Sequence, residues 1–120
     1  MTTLDTTAPA DADVAAVLDL AADHMKTVGY CKRYLYSVSQ AASGLALDRC
    51  KVDVLGAINV AVHGTPRHVG GDPLTWSAEK AVAERIDAPS VATWCDLPGN
   101  NQDAAISLLR TTAASLRGGA

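Results

Sequence analysis

The chain has 120 residues, of which 48% are hydrophobic, and a formal net charge of −3 at pH 7. This length suits a single domain, and the acidic balance disfavours general nucleic-acid binding, which needs a basic surface. No apolar run approaches the roughly 20 residues of a membrane span, and residues 1–13 contain no Lys or Arg, unlike a signal peptide. We therefore expect a cytoplasmic protein that makes no membrane contact.

The N-terminal residues 1–10 are rich in Thr and Ala and show no periodicity, so we expect a disordered tail there. Residues 11–117 form the predicted globular domain. In its first element, apolar residues recur at helical spacing and charged residues lie off that stripe, which predicts a helix over residues 12–29. Gly29 is a natural end for this helix, since glycine adopts the left-handed conformation that often follows a last turn.

Two short stretches have an extended pattern. Residues 31–36 alternate loosely in side-chain type, and residues 91–95 follow the helix breaker Pro89. Each is expected to be extended, and the two are candidates for pairing with each other. Residues 39–44 are predicted as a turn region between helices.

The most apolar stretch is predicted to be the central helix, residues 48–63. Its β-branched content would also suit a strand, but its length exceeds that of a usual strand. Asp48 is expected to cap its start, and Gly64 follows its end. Gly56 would let another element approach closely.

Two further helices are predicted over residues 73–87 and 101–117. The first begins with an Asp-Pro pair at Asp72, a common start for a helix, and the second is capped by Asn100 or Asn101. The fold class expected from these elements is mainly α, a compact bundle of about four helices.

Four short motifs follow one another along this pattern of helices. They are G-Y-C at 29–31, Cys50 before G-A-I at 56–58, W-C-D at 94–96 and a Leu pair at 108–109. In this order the chain resembles a family of small proteins of unknown function from actinobacteria and their phages, with G-[WY], C…G-A-[IL] and W-[NC]-D motifs. The resemblance covers roughly residues 13–117 and implies a compact domain of that origin, but no reaction.

This chain departs from the family pattern at two positions. The gap from Cys50 to Gly56 is longer than the usual one, and Cys95 stands where the family more often has Asn. A polar role at position 95 is therefore not carried over.

The first candidate for chemistry is Cys50. Its predicted place near the start of the central helix, between Arg49 and Lys51, would lower the pKa of its thiol and favour a nucleophile. The alternative is a structural cysteine at a helix start. Three widely spaced cysteines in an intracellular chain are expected to be free thiols.

A cysteine nucleophile also needs a base. His63 lies at the far end of the same predicted helix, roughly 20 Å away, so His24 or His68 would have to serve. Asp96 could complete a candidate catalytic set with Cys50 and His68, or simply cap a turn. The Cys and His spacings do not match a zinc site, so we expect no metal and no cofactor.

The candidate binding residues are aromatic or basic: Tyr30, Arg33, Tyr34, Tyr36 and Trp94. Such residues are enriched at protein interfaces, and aromatic and basic residues together can also stack on bases and meet phosphates. The alternative is that these side chains line the edge of a small core.

We therefore predict a binding or accessory protein that acts through contact with a partner protein. A cysteine-dependent enzyme using Cys50 and a phage-related nucleic-acid-binding regulator are the alternatives. The pattern favours a non-enzyme without deciding the point. A homodimer is an open option, because small helical domains often bury leftover apolar surface on a second copy.

Overall fold

The computed structural model describes residues 9–119, and this part of the chain is mainly helical, as predicted. Its α-helices are α1 (Asp11–Val28), α2 (Val38–Ala42), α3 (Val54–His63), α4 (Pro73–Ala83), α5 (Val91–Asp96) and α6 (Gln102–Ala114). A 3₁₀ turn at Leu47–Arg49 precedes α3, and a wider π-helical turn at Ser115–Gly119 follows α6. Among these helices, none combines the length and apolarity that crossing a membrane requires. Most of the predicted tail, residues 1–8, lies outside the described residues.

The core forms around α1, which packs against both α3 and α6. The buried face of α1 repeats at helical spacing and consists of Val14, Ala15, Val17, Leu18, Ala21, Ala22 and Met25. Several of these residues are alanines, as are Ala57 of α3 and Ala105 of α6, so the helix backbones can approach closely. Burying each larger side chain, such as Leu18 or Ile58, contributes roughly 1.5–3 kcal/mol to the free energy of unfolding.

The starts of α4 and α6 agree with the predicted caps. The Asp72 carboxylate accepts a hydrogen bond from the Thr75 N–H at 2.8 Å, and the Asn101 side chain accepts one from the Ala104 N–H at 2.9 Å. The ends differ from the prediction, since α4 ends at Ala83 and the α-helical part of α6 at Ala114. After Ala83 the chain leaves the α-helix through a tighter turn, in which the Arg85 N–H donates to the Val82 carbonyl three residues earlier at 3.0 Å.

The predicted start of the central helix at residue 48 is wrong. Helix α3 begins at Val54, and its cap is Asp53, which accepts a hydrogen bond from the Gly56 N–H at 2.8 Å. The preceding residues 50–53 are extended because their backbone groups are already bonded elsewhere. The Val52 N–H donates to the Gly29 carbonyl at 3.1 Å, which a helical residue there could not do.

Residues 29–37, here named the strap, pass on both sides of Val52. On one side the Cys31 N–H donates to the Val52 carbonyl at 3.0 Å, and on the other the Ser37 N–H donates to the Lys51 carbonyl at 2.8 Å. The predicted extended segment at 31–36 is instead bent at residues 32–35. The residues on either side of this bend pair with residues 51 and 52, not with residues 91–95.

The second predicted extended segment is instead a helix. Residues 91–95 belong to α5, which is capped by the Ser90 hydroxyl accepting from the Thr93 N–H at 3.1 Å. The predicted turn region at 39–44 also contains most of the short helix α2. In both places a serine cap overrides the local preference for turn or strand.

Candidate functional site

The structure removes the premise on which Cys50 was a candidate nucleophile. Cys50 precedes α3 instead of starting it, and its side chain is 0% exposed. The thiol points at the Ala46 carbonyl, 3.4 Å away. Burial raises the pKa of the Cys50 thiol, and the charge of Asp48 adds to this effect. The thiol is therefore held protonated, which favours the alternative of a structural cysteine over that of a nucleophile.

The other two predicted catalytic residues do not join Cys50. The Asp96 carboxylate accepts a hydrogen bond from the Arg33 N–H at 2.6 Å, and the exposed His68 ring lies over Gly70. Among the described residues, no hydrogen bond links any two of Cys50, His68 and Asp96. The ring nitrogen Nε2 of His24, the other candidate base, is buried without a hydrogen-bond partner in the described part of the chain.

The predicted binding cluster is divided between core and surface. Tyr30, Tyr36 and Trp94 are partly buried and pack against the core. The Tyr30 hydroxyl donates to the Cys95 carbonyl at 2.6 Å. Of the predicted binding residues, only Arg33 and Tyr34 are exposed, and 59% of Tyr34 is accessible to solvent.

The strap is fixed to the end of α5 by hydrogen bonds from Lys32 and Arg33. The Lys32 ammonium group donates to the Leu97 carbonyl at 2.7 Å. Arg33 has a φ of +77°, an uncommon conformation for a residue other than glycine, and the hydrogen bond from its N–H to Asp96 stabilises it. Several of the aromatic and basic residues of the strap therefore have a structural role.

Asp53 and Cys95 are buried beneath the strap, and the partly exposed Cys31 belongs to the strap itself. Burial raises the pKa of Asp53 to about 6, although the Gly56 N–H favours its ionised form, and the charge of Asp96 adds to the rise. Burial also raises the pKa of the Cys31 thiol to about 12 and that of Cys95 to about 11. The two thiols therefore stay protonated at neutral pH, and residues 9–119 contain no group of three or more His, Cys, Asp or Glu residues suited to a metal ion.

A further candidate site lies beside Trp76 on α4. The core-facing residues of α4 include Ala78 and Val82, and Trp76 points away from them with 62% of its side chain exposed. It borders a groove of about 440 Å³ between α4 and α5. The groove is lined by Leu55, Trp76, Glu79, Lys80, Ala83, Pro89, Ser90, Val91 and Ala92.

The groove is apolar at its base and polar at its rim. Val91 is buried and Leu55 partly buried, and both pack in or against the core. Lys80 forms an ion pair with Glu84 at 2.5 Å, and its ammonium group lies 6.0 Å from the centroid of the Trp76 ring. Trp76 is thereby held by an attraction between a cation and an aromatic ring.

Two charged residues line the groove, Glu79 and Lys80, and Glu79 is the one without an ion-pair partner among the described residues. Its side chain is partly buried, and it forms no ion pair with any other residue of the range 9–119. Burial raises the pKa of the Glu79 carboxyl, while nearby His68 opposes this and Asp72 adds to it. The groove thus combines apolar walls with one unneutralised carboxyl group.

A set of hydrogen bonds fixes the end of α4 that carries Trp76. The His63 ring nitrogen Nε2, at the end of α3, lies 2.8 Å from the Asp72 carboxylate and 3.1 Å from the Thr75 hydroxyl. Nearby, the Asn59 side chain donates to the Pro66 carbonyl at 3.1 Å. These contacts join α3, the following loop and α4, so the groove is bordered by firmly held backbone.

These features define a small, mainly helical protein with an open groove beside an exposed tryptophan. The chain belongs to a family of unknown function (DUF6197), whose family model matches residues 9–115. Membership in a family of unknown function is therefore confirmed, whereas an actinobacterial or phage origin stays a prediction. No curated protein and no solved structure shows a significant match to the chain.

Proposed function

We propose that this protein is a binding module that holds an apolar segment of another protein in the groove beside Trp76. The observation that carries the proposal is the 62% exposure of this large side chain at the edge of an apolar groove. Tryptophan is among the residues that most often dominate the binding energy of protein interfaces.

The shape of the groove favours a protein segment over a small molecule. Sites for small molecules usually enclose most of the ligand surface. Here most of the lining residues reach solvent, and of the apolar ones only Val91 is fully buried. A segment laid across Trp76 would cover Ala83 and Pro89 and leave the polar rim in water, as in typical interfaces.

The groove is also held in place before any partner arrives. Asp72 caps α4 and bonds to His63 of α3, and Ser90 caps α5 on the opposite wall. A partner would therefore meet a surface whose backbone is already ordered, which reduces the entropy cost of binding.

The test is selection of random 12-residue peptides, displayed on phage, against the folded protein. Selected peptides are synthesised with a fluorescent label, and their affinities are measured by anisotropy. We expect enrichment of peptides with a bulky apolar residue, and at least a tenfold loss of affinity for Trp76→Ala. Leu20→Ala is the matched control, since Leu20 is 54% exposed on α1 and does not line the groove.

Two results would overturn the proposal. One is that the selected peptides bind Trp76→Ala as tightly as the unchanged protein. The other is a concentration-dependent dimer in sedimentation experiments that Trp76→Ala abolishes, since a second copy would then be the occupant of the groove.

A further inference from the structure

We infer that the groove selects a partner segment that carries a cationic side chain, arginine or lysine, next to its apolar anchor residue. The Glu79 carboxylate recognises this cationic side chain. This inference rests on the proposed function, because it names the chemistry of the segment that the groove holds.

The position of Glu79 is the first argument. It lies three residues after Trp76 on α4, so the two side chains project from neighbouring positions of the same helix surface. Both line the groove. An apolar side chain resting against Trp76 therefore places its neighbouring residue within reach of the Glu79 carboxylate.

The charges around the groove are the second argument. Lys80 is already neutralised by Glu84, so it does not balance Glu79. Among the residues that line the groove, Lys80 is the only basic one, and Glu79 forms no ion pair within residues 9–119. Of the described basic groups, the one that acts on Glu79 is His68. The groove is therefore complementary to a positive charge.

The cost of covering Glu79 is the third argument. An apolar segment that filled the groove would remove water from a carboxylate that has no ionic partner, and this is unfavourable. A guanidinium or ammonium group on the segment would replace that water with a charge-assisted hydrogen bond. Neutral segments of equal apolarity are thus disfavoured.

The experiment uses a labelled peptide from the selection described above and a copy in which its arginine is replaced by citrulline, which has the same shape but no charge. With the unchanged protein we expect citrulline to weaken binding about tenfold, in line with a charged hydrogen bond. With Glu79→Gln the two peptides should bind equally. Asp103→Asn is the matched control, since Asp103 is exposed on α6, forms no ion pair among the described residues and does not line this groove.

The outcomes separate the two proposals. If Trp76→Ala abolishes binding but citrulline and arginine peptides bind the unchanged protein within twofold of each other, the charge selection is wrong and the binding module stands. If Trp76→Ala has no effect, the proposed function itself fails. Equal loss of discrimination in Glu79→Gln and Asp103→Asn would also contradict the inference, because general charge would then explain it.

Discussion

The carbonyl oxygen of Leu35 lies against the Cα of Gly56, so that a Cβ built on Gly56 would stand 1.8 Å from that oxygen. The strap and the first turn of α3 thus meet backbone to backbone. The same Leu35 carbonyl accepts a hydrogen bond from the Asp53 N–H at 3.3 Å. Only glycine fits at position 56 without moving the strap.

Gly56→Ala is therefore expected to destabilise the protein by about 2–4 kcal/mol, as overpacking in a tight site does at its upper end. In an unobstructed helix the same change would stabilise by up to about 1 kcal/mol, so the sign of the effect identifies the clash. Urea unfolding at pH 7 measures it. Gly99→Ala is the control, because a Cβ there meets nothing within 4 Å. A neutral Gly56→Ala variant would show that the strap does not lie this close to α3.

Asp53 should make the stability depend on pH in a characteristic direction. Its pKa is raised from an ordinary 3.8 to about 6 in the folded protein, so between these values the folded chain holds a proton that the unfolded chain has lost. Rising pH across this window therefore disfavours folding. Asp53→Asn keeps the helix cap and removes the charge, and we expect it to be about 1–3 kcal/mol more stable than the unchanged protein at pH 7.

That advantage should shrink as the pH falls from 6 towards 3.8, because the wild-type carboxyl is then protonated in the fold. Thermal or urea unfolding of both proteins at several pH values measures the difference. Asp53→Ala provides the comparison for the cap, and should be about 1 kcal/mol less stable than Asp53→Asn at every pH. A constant difference between Asp53→Asn and wild type across the window would contradict a raised pKa.

The thiols should react slowly with iodoacetamide at neutral pH. Cys50 and Cys95 are both 0% exposed, and burial raises the pKa of each thiol. Cys31 is partly exposed, but its pKa of about 12 also keeps it protonated. We expect each to be labelled at least tenfold more slowly than in the protein unfolded in urea, as followed by mass spectrometry. Labelling of Cys50 faster than a free thiol would restore the enzyme hypothesis.

The helix starts that could be predicted from the sequence are those set by a capping residue close in sequence. Asp72 before Pro73 and Asn101 at the start of α6 cap their own helices through bonds to residues three positions later. Such bonds depend on neighbouring residues alone, so one sequence suffices to predict them. The same signal was present at Ser90, but the β-branched and aromatic residues after it favoured a strand.

The start of α3 could not be predicted in this way, because two candidate caps compete. Asp48 and Asp53 both precede apolar residues, and what decides between them is the strap. Residues 50–53 are bonded on both sides by residues 29–37 and so cannot be helical. This pairing joins distant parts of the chain, and no local pattern contains it. The hypothesis of a nucleophilic Cys50 used that boundary as its premise, and the structure no longer provides that premise.

The groove was missed for a different reason. In α4 the residues Leu74, Ala78 and Val82 recur at helical spacing and pack in or against the core, and position 76 lies off that stripe. The exposure of Trp76 therefore follows from the sequence pattern itself. That it borders a groove does not follow, because the opposite wall at Pro89 and Ala92 belongs to another helix.

The packing of α1 on α6 constrains how the protein can be synthesised. Asp19 and Arg110 are joined by a 3.0 Å ion pair across 91 residues of sequence, and the apolar face of α1, which α3 covers in part, is fully covered only when α6 is present. At about 5–20 residues per second, a ribosome needs roughly 5–20 s to make the intervening chain. Throughout that interval the nascent α1 must keep its leucine, valine and methionine side chains from other hydrophobic surfaces in the cell.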